Sequence, residues 1–280
     1  MHPPTLPLHL RRLRQHPPSK PGMTAGRWTA IVLAGQRPGI DPLAAHFGST
    51  VKALVSLGGV AMLTRVVRTL HATPDIGDII VLAQDTNALS EAVVAGGGAI
   101  LAVSGKGISV SIAALLDKSA LWPVLVTTAD HPLLLPDHIA AFLAKAEDAD
   151  LSVGMVEREI VLARYPGAHR TWLKFRDGHW SGANLFTLAG PRTLAALTLW
   201  AAAEQDRKRA WKLFFHFGPW LALRAVTRTI GLAEALSRAG RNLGLSARLV
   251  ALPFADAAID VDKPADYDLA VAILGDREQS

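Results

Sequence analysis

The sequence predicts a three-layer α/β fold: a mostly parallel sheet between helices, with a smaller antiparallel and helical lobe after residue 150. Three observations lead there. From Thr29 to Asp150, short apolar runs rich in β-branched residues alternate with helix-length amphipathic stretches. Apolar strands separated by helices pair in parallel and are covered on both faces. The polar and glycine-containing segments fall at the carboxyl ends of those strands, where open α/β sheets bind ligands. Beyond Asp150 the pattern changes to alternating strands around a tight turn, then to helices.

The 280 residues, half of them apolar, suffice for one large domain with a small lobe. No apolar run reaches the length of a bilayer span, and no cysteine is present. That excludes disulfides, thiolate metal sites and a cysteine nucleophile, and it suits a reducing cytoplasm. The net charge of +5 is local. Residues 1–27 hold Arg11, Arg12, Arg14, Lys20 and Arg27 with no acid, and the remainder balances at 24 against 24. The high pI is therefore no sign of a nucleic-acid-binding body. With six prolines and no continuous apolar core, residues 1–27 read as a disordered basic tail, or as an upstream extension of a start at Met23. The folded domain is expected over 28–275.

The first strand, Ala30–Leu33, is an apolar run that ends at Ala34-Gly35, where small residues let backbone approach a ligand. A long loop follows with Arg37, Gly39, Gly48 and Lys52. Gly58-Gly59 then turn the chain into a helix over 61–70. Strand, glycine turn, cationic loop and helix make a recipe for polyphosphate, since backbone N–H groups cradle oxygens while Arg and Lys neutralise charge. An ordinary βα connection has the same outline. Further strands are expected at 79–83, 100–103 and 124–127, with helices at 86–95, 109–117 and 136–146. After the third strand, Gly105, Gly107, Ser109 and Ser111 fit a base-binding or phosphate-binding edge, and Ser109 equally fits a helix N-cap. The fourth strand leads through Thr128 to Asp130, His131 and Pro132. A carboxylate delivered there is a natural Mg²⁺ ligand, because Mg²⁺ in nucleotide sites takes one or two carboxylates plus phosphate oxygens. A capping role for Asp130 is less needed, since Pro136 already starts the next helix well. His131 reads as a wall of the site.

A strand is expected at 151–156, and Thr171–Phe175 alternates as a half-buried strand. Residues 176–179 make a hairpin turn, and Trp180–Phe186 returns. Lys174 and Asn184 offer donors for phosphate or hydroxyl groups, although Lys174 equally suits a solvated strand. Residues 190–245 read as helical. Between Trp200 and Val250 nine basic residues face three acids, and 207–220 adds aromatics. That stretch reads as a packed lobe with solvated charges, as a surface for a phosphorylated ligand, or as a helix at a membrane surface. A strand at 247–252 leads to Asp260-Val261-Asp262-Lys263-Pro264-Ala265-Asp266. Alternation puts Asp260 and Asp262 on one face, where two carboxylates repel unless a cation lies between them. Asp266, in the first turn of the last helix, suits its dipole.

Four of these segments together resemble one family. Leu33-Ala34-Gly35-Gln36-Arg37, Lys52-Ala53-Leu54, Leu57-Gly58-Gly59 with Met62-Leu63, and the closing Asp-x-Asp-x-Pro-x-Asp look like the signature of MobA-like nucleotidyltransferases, together with the sugar-phosphate and alcohol-phosphate nucleotidyltransferases. Gln36 departs from the pattern, since many relatives have a second glycine there, and the loop before Lys52 is longer than usual. The resemblance spans roughly 28–275 and implies a Rossmann-like, GT-A-like fold. Its nucleotide-binding half would be 28–150, its acceptor lobe 151–250, and its closing metal motif and helix 251–275. It implies nucleotide contacts at Leu33, Ala34, Gly35, Gly105, Gly107, Ser109 and Thr128, with Arg37 and Lys52 stabilising the departing pyrophosphate. Lys174, Gly182 and Asn184 would bind the acceptor. Asp130, Asp260 and Asp262 would hold Mg²⁺. The expected reaction joins an NMP from an NTP to a phosphorylated sugar or alcohol. CTP is favoured because the Asp-x-Asp ending resembles the cytidylyltransferases. The alternatives are a GTP-dependent molybdopterin-type guanylyl- or cytidylyltransferase, and a catalytically silent nucleotide-sensing subunit. No nucleic-acid partner is expected. The location would be cytoplasmic, with a peripheral membrane contact if the 207–220 segment lies on lipid.

Overall fold

A computed structural model describes residues 27–36, 39, 41–105, 107–117, 121–205 and 219–279. The basic tail apart from Arg27, Arg37, and all of the aromatic basic stretch except Pro219 and Trp220 lie outside the described residues.

The core strand is β1 (Trp28–Leu33), whose apolar residues are buried on both faces. It lies parallel between β4 (Ile76–Ala83) and β6 (Val124–Thr128), and β5 (Ile100–Val103) extends the sheet in parallel from β4. On the other side, β9 (Gly178–Leu188) runs antiparallel between β6 and β7 (Leu151–Glu157), and β10 (Ala247–Ala251) closes the edge parallel to β7. The resulting order is β10-β7-β9-β6-β1-β4-β5, with β8 (Leu173–Phe175) paired onto β9. The strands after residue 150 thus continue the central sheet, with β8 paired onto β9.

Period-two alternation divides the core into the two outer layers. Ala30 and Val32 pack with α2 (Met62–His71) and α5 (Pro136–Ala146), through Leu63, Val66, Val67, Leu70, Ile139 and Phe142. Ile31, Ile80 and Val126 pack on the opposite face with Ile112 and Leu116 of α4 (Ile108–Asp117) and Leu197 of α7 (Leu194–Gln205). Fully burying each large side chain of this kind contributes about 1.5–3 kcal/mol.

Several elements differ from the sequence-based expectation. The long loop after β1 contains a short helix, α1 (Pro42–His46), because Asp41 accepts hydrogen bonds from the backbone N–H of Leu43 and Ala44 and Pro42 starts the turn. Gly58 and Gly59 make the turn of a small hairpin between β2 (Ser56–Leu57) and β3 (Val60–Ala61), with φ of 56° and 78°. A two-residue hairpin turn with both φ positive requires such residues. The helix expected at 86–95 reduces to α3 (Ser90–Ala95) after a turn held by Asp85. A further helix, α6 (Arg158–Arg164), follows β7 directly. The β8–β9 turn is tighter than expected, since Phe175 pairs with Gly178. The carboxylate of Asp177 in that turn accepts the N–H of Leu232 at the start of α9 (Leu232–Asn242), which follows α8 (Pro219–Val226). The last helix, α10 (Pro264–Gln279), runs five residues past Leu274. No described helix is long and apolar enough to cross a membrane.

Candidate active site

Three backbone bonds converge at the carboxyl ends of the central strands. Ala34 N–H donates to Leu82 O (3.0 Å) and Ala129 N–H to Leu33 O (2.9 Å), prolonging the ladder past β1. Val261 N–H donates to Asp130 O (2.9 Å) and so lays the closing segment along the turn after β6. This last bond brings the Asp260–Asp262 stretch beside Asp130.

At the centre is Lys52, on a single 3-10 turn, Lys52–Leu54. Its ammonium lies 2.6 Å from Asp130 Oδ2 and also meets Asp262 Oδ1. One cation therefore answers two carboxylates. Burial pulls the Lys52 pKa down, but Asp130 and Asp262 outweigh it and hold the value above that of an ordinary lysine. Burial pushes the Asp130 carboxyl up, and the charge and hydrogen bond of Lys52 bring it below the usual carboxylate range. Lys52 is consequently charged and Asp130 ionised at neutral pH. His131, beside them, is fully buried, which lowers its pKa to about 4 and keeps its ring neutral.

Asp260 has different neighbours. Arg170 reaches it with two nitrogens: Nη2 forms an ion pair with Oδ1 (2.5 Å), and Nη1 donates to the main-chain O (3.3 Å). Asn184 Nδ2 donates to Asp260 Oδ2 (3.0 Å). Asn184 has φ of 50° in the middle of β9, where the register against β7 shifts between Val153 and Met155. Such a bulge re-aims a side chain, and asparagine tolerates the left-handed conformation better than most residues. The Asp260 pKa is raised, by burial first and then by the charges of Asp130 and Asp262, against the opposing Arg170.

The nucleotide-side residues are arranged as follows. Leu33 and Thr128 are paired at the ends of β1 and β6. Gly35 lies under Gln84, so that an added Cβ would come within 2.9 Å of the Gln84 amide. Gln84 Oε1 accepts the N–H of Gln36 (3.0 Å). Gln36 in turn braces the cationic loop: its amide donates to Thr50 O and accepts from Lys52 N–H, both at 3.3 Å. Where relatives have a glycine, this chain therefore carries a strut that fixes the root of Lys52. Gly105 N–H donates to Ser111 Oγ (2.8 Å), which itself donates to Gly107 O (2.6 Å), so Ser111 shapes the loop after β5. Ser109 is fully buried near the start of α4.

On the acceptor side, Gly182 is exposed, with open space where a side chain would be. Lys174 does not join it. It is exposed on β8 opposite His179, so Gly182 and Asn184 lie three and five residues further along β9, about 10 Å or more away. Asp266 accepts from the N–H groups of Asp262 and Lys263 (3.1 and 3.0 Å) and holds the start of α10, as its sequence position suggested. Residues the sequence did not single out are Gln84 and Arg170. Gln84 directly follows β4 and could have been found as a polar residue at a strand's carboxyl end. Arg170 lies in an aperiodic loop and carries no local signal. A cavity of about 700 Å³ between α6, residues 253–256 and α10 is lined by none of Lys52, Asp130, Asp260 or Asp262.

The donor set suits Mg²⁺. Asp130 Oδ1 is buried without a partner, and Asp130 and Asp262 share a position now taken by an ammonium. No group of three or more potential metal-ligating side chains is present among the described residues; Mg²⁺ in nucleotide sites takes one or two carboxylates plus phosphate oxygens.

A mostly parallel sheet with a lysine and paired carboxylates at its carboxyl ends defines the class: an α/β enzyme that handles nucleotides. The family model for the MobA-like NTP transferase domain matches residues 30–216. The chain belongs to that family and is a nucleotidyltransferase. Among solved structures it is similar to a hypothetical transferase from Thermus thermophilus, with 31% identity over 86% of this chain and 99% of that one, at a TM-score of 0.73. The fold is shared with CMP:2-keto-3-deoxy-manno-octonic acid synthetase in complex with CTP (TM-score 0.56, 14% identity, 89% and 99% of the two chains). It is also shared with 4-diphosphocytidyl-2C-methyl-D-erythritol synthase from Anaerococcus prevotii (TM-score 0.54, 10% identity, 90% and 100%). No curated protein matches the sequence.

Proposed function

We propose that this nucleotidyltransferase transfers CMP from CTP to a phosphorylated sugar or alcohol and releases pyrophosphate. The observation that carries the reading is the meeting of Lys52, Asp130 and Asp262 at the carboxyl ends of β1 and β6. An oxygen of the acceptor phosphate attacks the α-phosphorus in line, and the bond from that phosphorus to the β-phosphate's bridging oxygen breaks. The residues position reactants and stabilise charge, so no protein nucleophile is needed. The backbone at Ala34 and Gly35 lets the triphosphate approach, and Gln84 closes over it. Lys52, braced by Gln36, neutralises the departing pyrophosphate together with Arg37. Asp130 and one or both closing aspartates would hold Mg²⁺, which supplies Lewis-acid stabilisation of the phosphate oxygens when bound. Gly182, with Asn184 behind it, would form the wall against the acceptor.

The CTP preference is supported by two structures of the same fold, one in complex with CTP and one a 4-diphosphocytidyl-2C-methyl-D-erythritol synthase. The second reading, implied by the resemblance of the motifs, is a GTP-dependent molybdopterin-type guanylyl- or cytidylyltransferase. Thermal unfolding with Mg²⁺ and each of CTP, GTP, UTP and ATP separates them. Stabilisation by CTP that is lost on chelation is the expected result, since a ligand bound only to the native state raises its stability. Stabilisation by GTP alone would select the second reading.

A further inference from the structure

The closing motif carries two aspartates, and the structure treats them differently. The side chain of Asp262 is exposed and meets that of Lys52, while Asp260 is largely buried: its Oδ1 lies in an ion pair with Arg170 but has no hydrogen-bond partner among the described residues, and its Oδ2 accepts from Asn184. We infer that Asp260 is the structural counter-ion of Arg170 and not a metal ligand, and that Arg170 is a positioning residue which, through Asp260, presents Asp262 to the cation position shared with Asp130.

Three elements distant in sequence converge to hold Asp260. Arg170, from the loop before β8, binds both its side chain and its main-chain oxygen. Asn184 reaches it from the β9 bulge. Val261 N–H, the next backbone donor, is fixed to Asp130 O. The peptide between Asp260 and Asp262 is thereby pinned at its start and middle, and the Asp262 N–H is pinned by Asp266 (3.1 Å). The Asp262 side chain is then the part of this stretch that turns toward Lys52. A planar guanidinium that takes a carboxylate and a carbonyl at once fixes direction as well as charge, which a lysine ammonium does less well. The carboxylate set is thus divided: Asp130 and Asp262 share Lys52, where a divalent cation would be held, and Asp260 answers Arg170. The location of the divalent cation rests on the magnesium reading proposed above; the Arg170–Asp260 pairing stands without it.

Two measurements on the full chain test this. The first is thermal unfolding without metal for Arg170→Met, Asp260→Asn and the double variant. Removing one partner of a buried pair leaves an uncompensated group, so Arg170→Met should lower Tm by roughly 8 °C. Adding Asp260→Asn should recover most of that loss, because the double variant buries no unpaired charge. Additive losses would overturn the pairing. The second is a titration of Mn²⁺ followed by the resonance of the free ion. Asp260→Asn should keep wild-type affinity within about threefold, whereas Asp130→Asn and Asp262→Asn should each weaken it by at least about tenfold. Arg170→Met should weaken binding and Arg170→Lys should restore it only in part. A tenfold loss in Asp260→Asn with Asp262→Asn unaffected would overturn the assignment. Absence of Mn²⁺ binding in the wild type would refute the proposed metal reading and with it the positioning role, while the unfolding cycle would still decide the pairing. If Arg170→Met does not fold, the Asp260→Asn titration alone decides between ligand and counter-ion.

Discussion

Lys52 Nζ lies 2.6 Å from Asp130 Oδ2, although 78 residues separate them in sequence. The same nitrogen meets Asp262, a further 132 residues along the chain. A single ammonium thus ties the cationic loop after β1, the turn after β6 and the closing motif to one point.

Replacing Lys52 by Met should affect both stability and activity. Asp130 would keep its charge in a largely buried place without its partner, at a cost of about 3 kcal/mol. Asp262, more than half exposed, should contribute little to the loss. Urea unfolding of Lys52→Met beside Asp130→Asn/Lys52→Met measures this, and the double variant should be the more stable of the two. Asp130→Asn alone should abolish turnover while its circular dichroism remains that of the wild type.

Gly35→Ala should separate folding from binding. The added Cβ would meet only the Gln84 amide, the far end of a flexible side chain. Stability should therefore change by no more than about 0.5 kcal/mol. Nucleotide affinity should fall at least tenfold, because the methyl group and the displaced Gln84 occupy the approach to the strand end. Calorimetric titration of CTP into wild type and variant reads the difference.

Gln36→Ala removes a strut and no charge. Its amide spans Thr50 and Lys52, and the loss of these long, exposed bonds should cost about 1 kcal/mol or less. The larger effect should be on kcat, with Lys52 free to stray from the departing group. Gln36→Glu should not restore it, since a carboxylate there competes for the ammonium. Steady-state pyrophosphate release for both variants is the measurement.

Acidification should destabilise the fold through its buried histidines. His138 is 2% exposed, and its Nδ1 accepts the N–H of Leu135 at the head of α5 (3.3 Å). Burial lowers its pKa despite Asp256 nearby. A base whose folded pKa lies below its unfolded value contributes stability above the unfolded value, near 6.5, and loses it as pH falls toward the folded one. Unfolding free energy should therefore decline between pH 7 and pH 5. His138→Gln keeps an acceptor without a titrating ring, and its decline should be shallower.

Much of the sheet was legible because central strands such as β1 and β6 are buried on both faces and read as continuous apolar runs; the edge strand at Ile100–Val103 and the helix at Pro136–Ala146 also fall at the expected residues. The α1 helix was hidden inside a loop because its five residues are too few for a periodic signal. The place of β9 was also hidden. Its alternation shows a strand, but nothing local says that it enters the sheet between β6 and β7. At the site, Lys52, Asp130 and Asp262 were marked by residue type and by position after apolar strands, and the structure gathers them. Arg170 was not, because its role exists only once Asp260 has been folded against it.

The bond from Val261 N–H to Asp130 O has a consequence for the timing of synthesis. Domains emerge from the ribosome amino end first. The cationic loop, β1 and β6 are made long before residues 260–262, so a nascent chain holds Lys52 and Asp130 but lacks the third corner of the site. A chain that ends before the closing segment keeps every strand of the central sheet in its sequence and lacks Asp260 and Asp262. Until residue 262 has been made, Lys52 has Asp130 as its carboxylate partner and lacks Asp262.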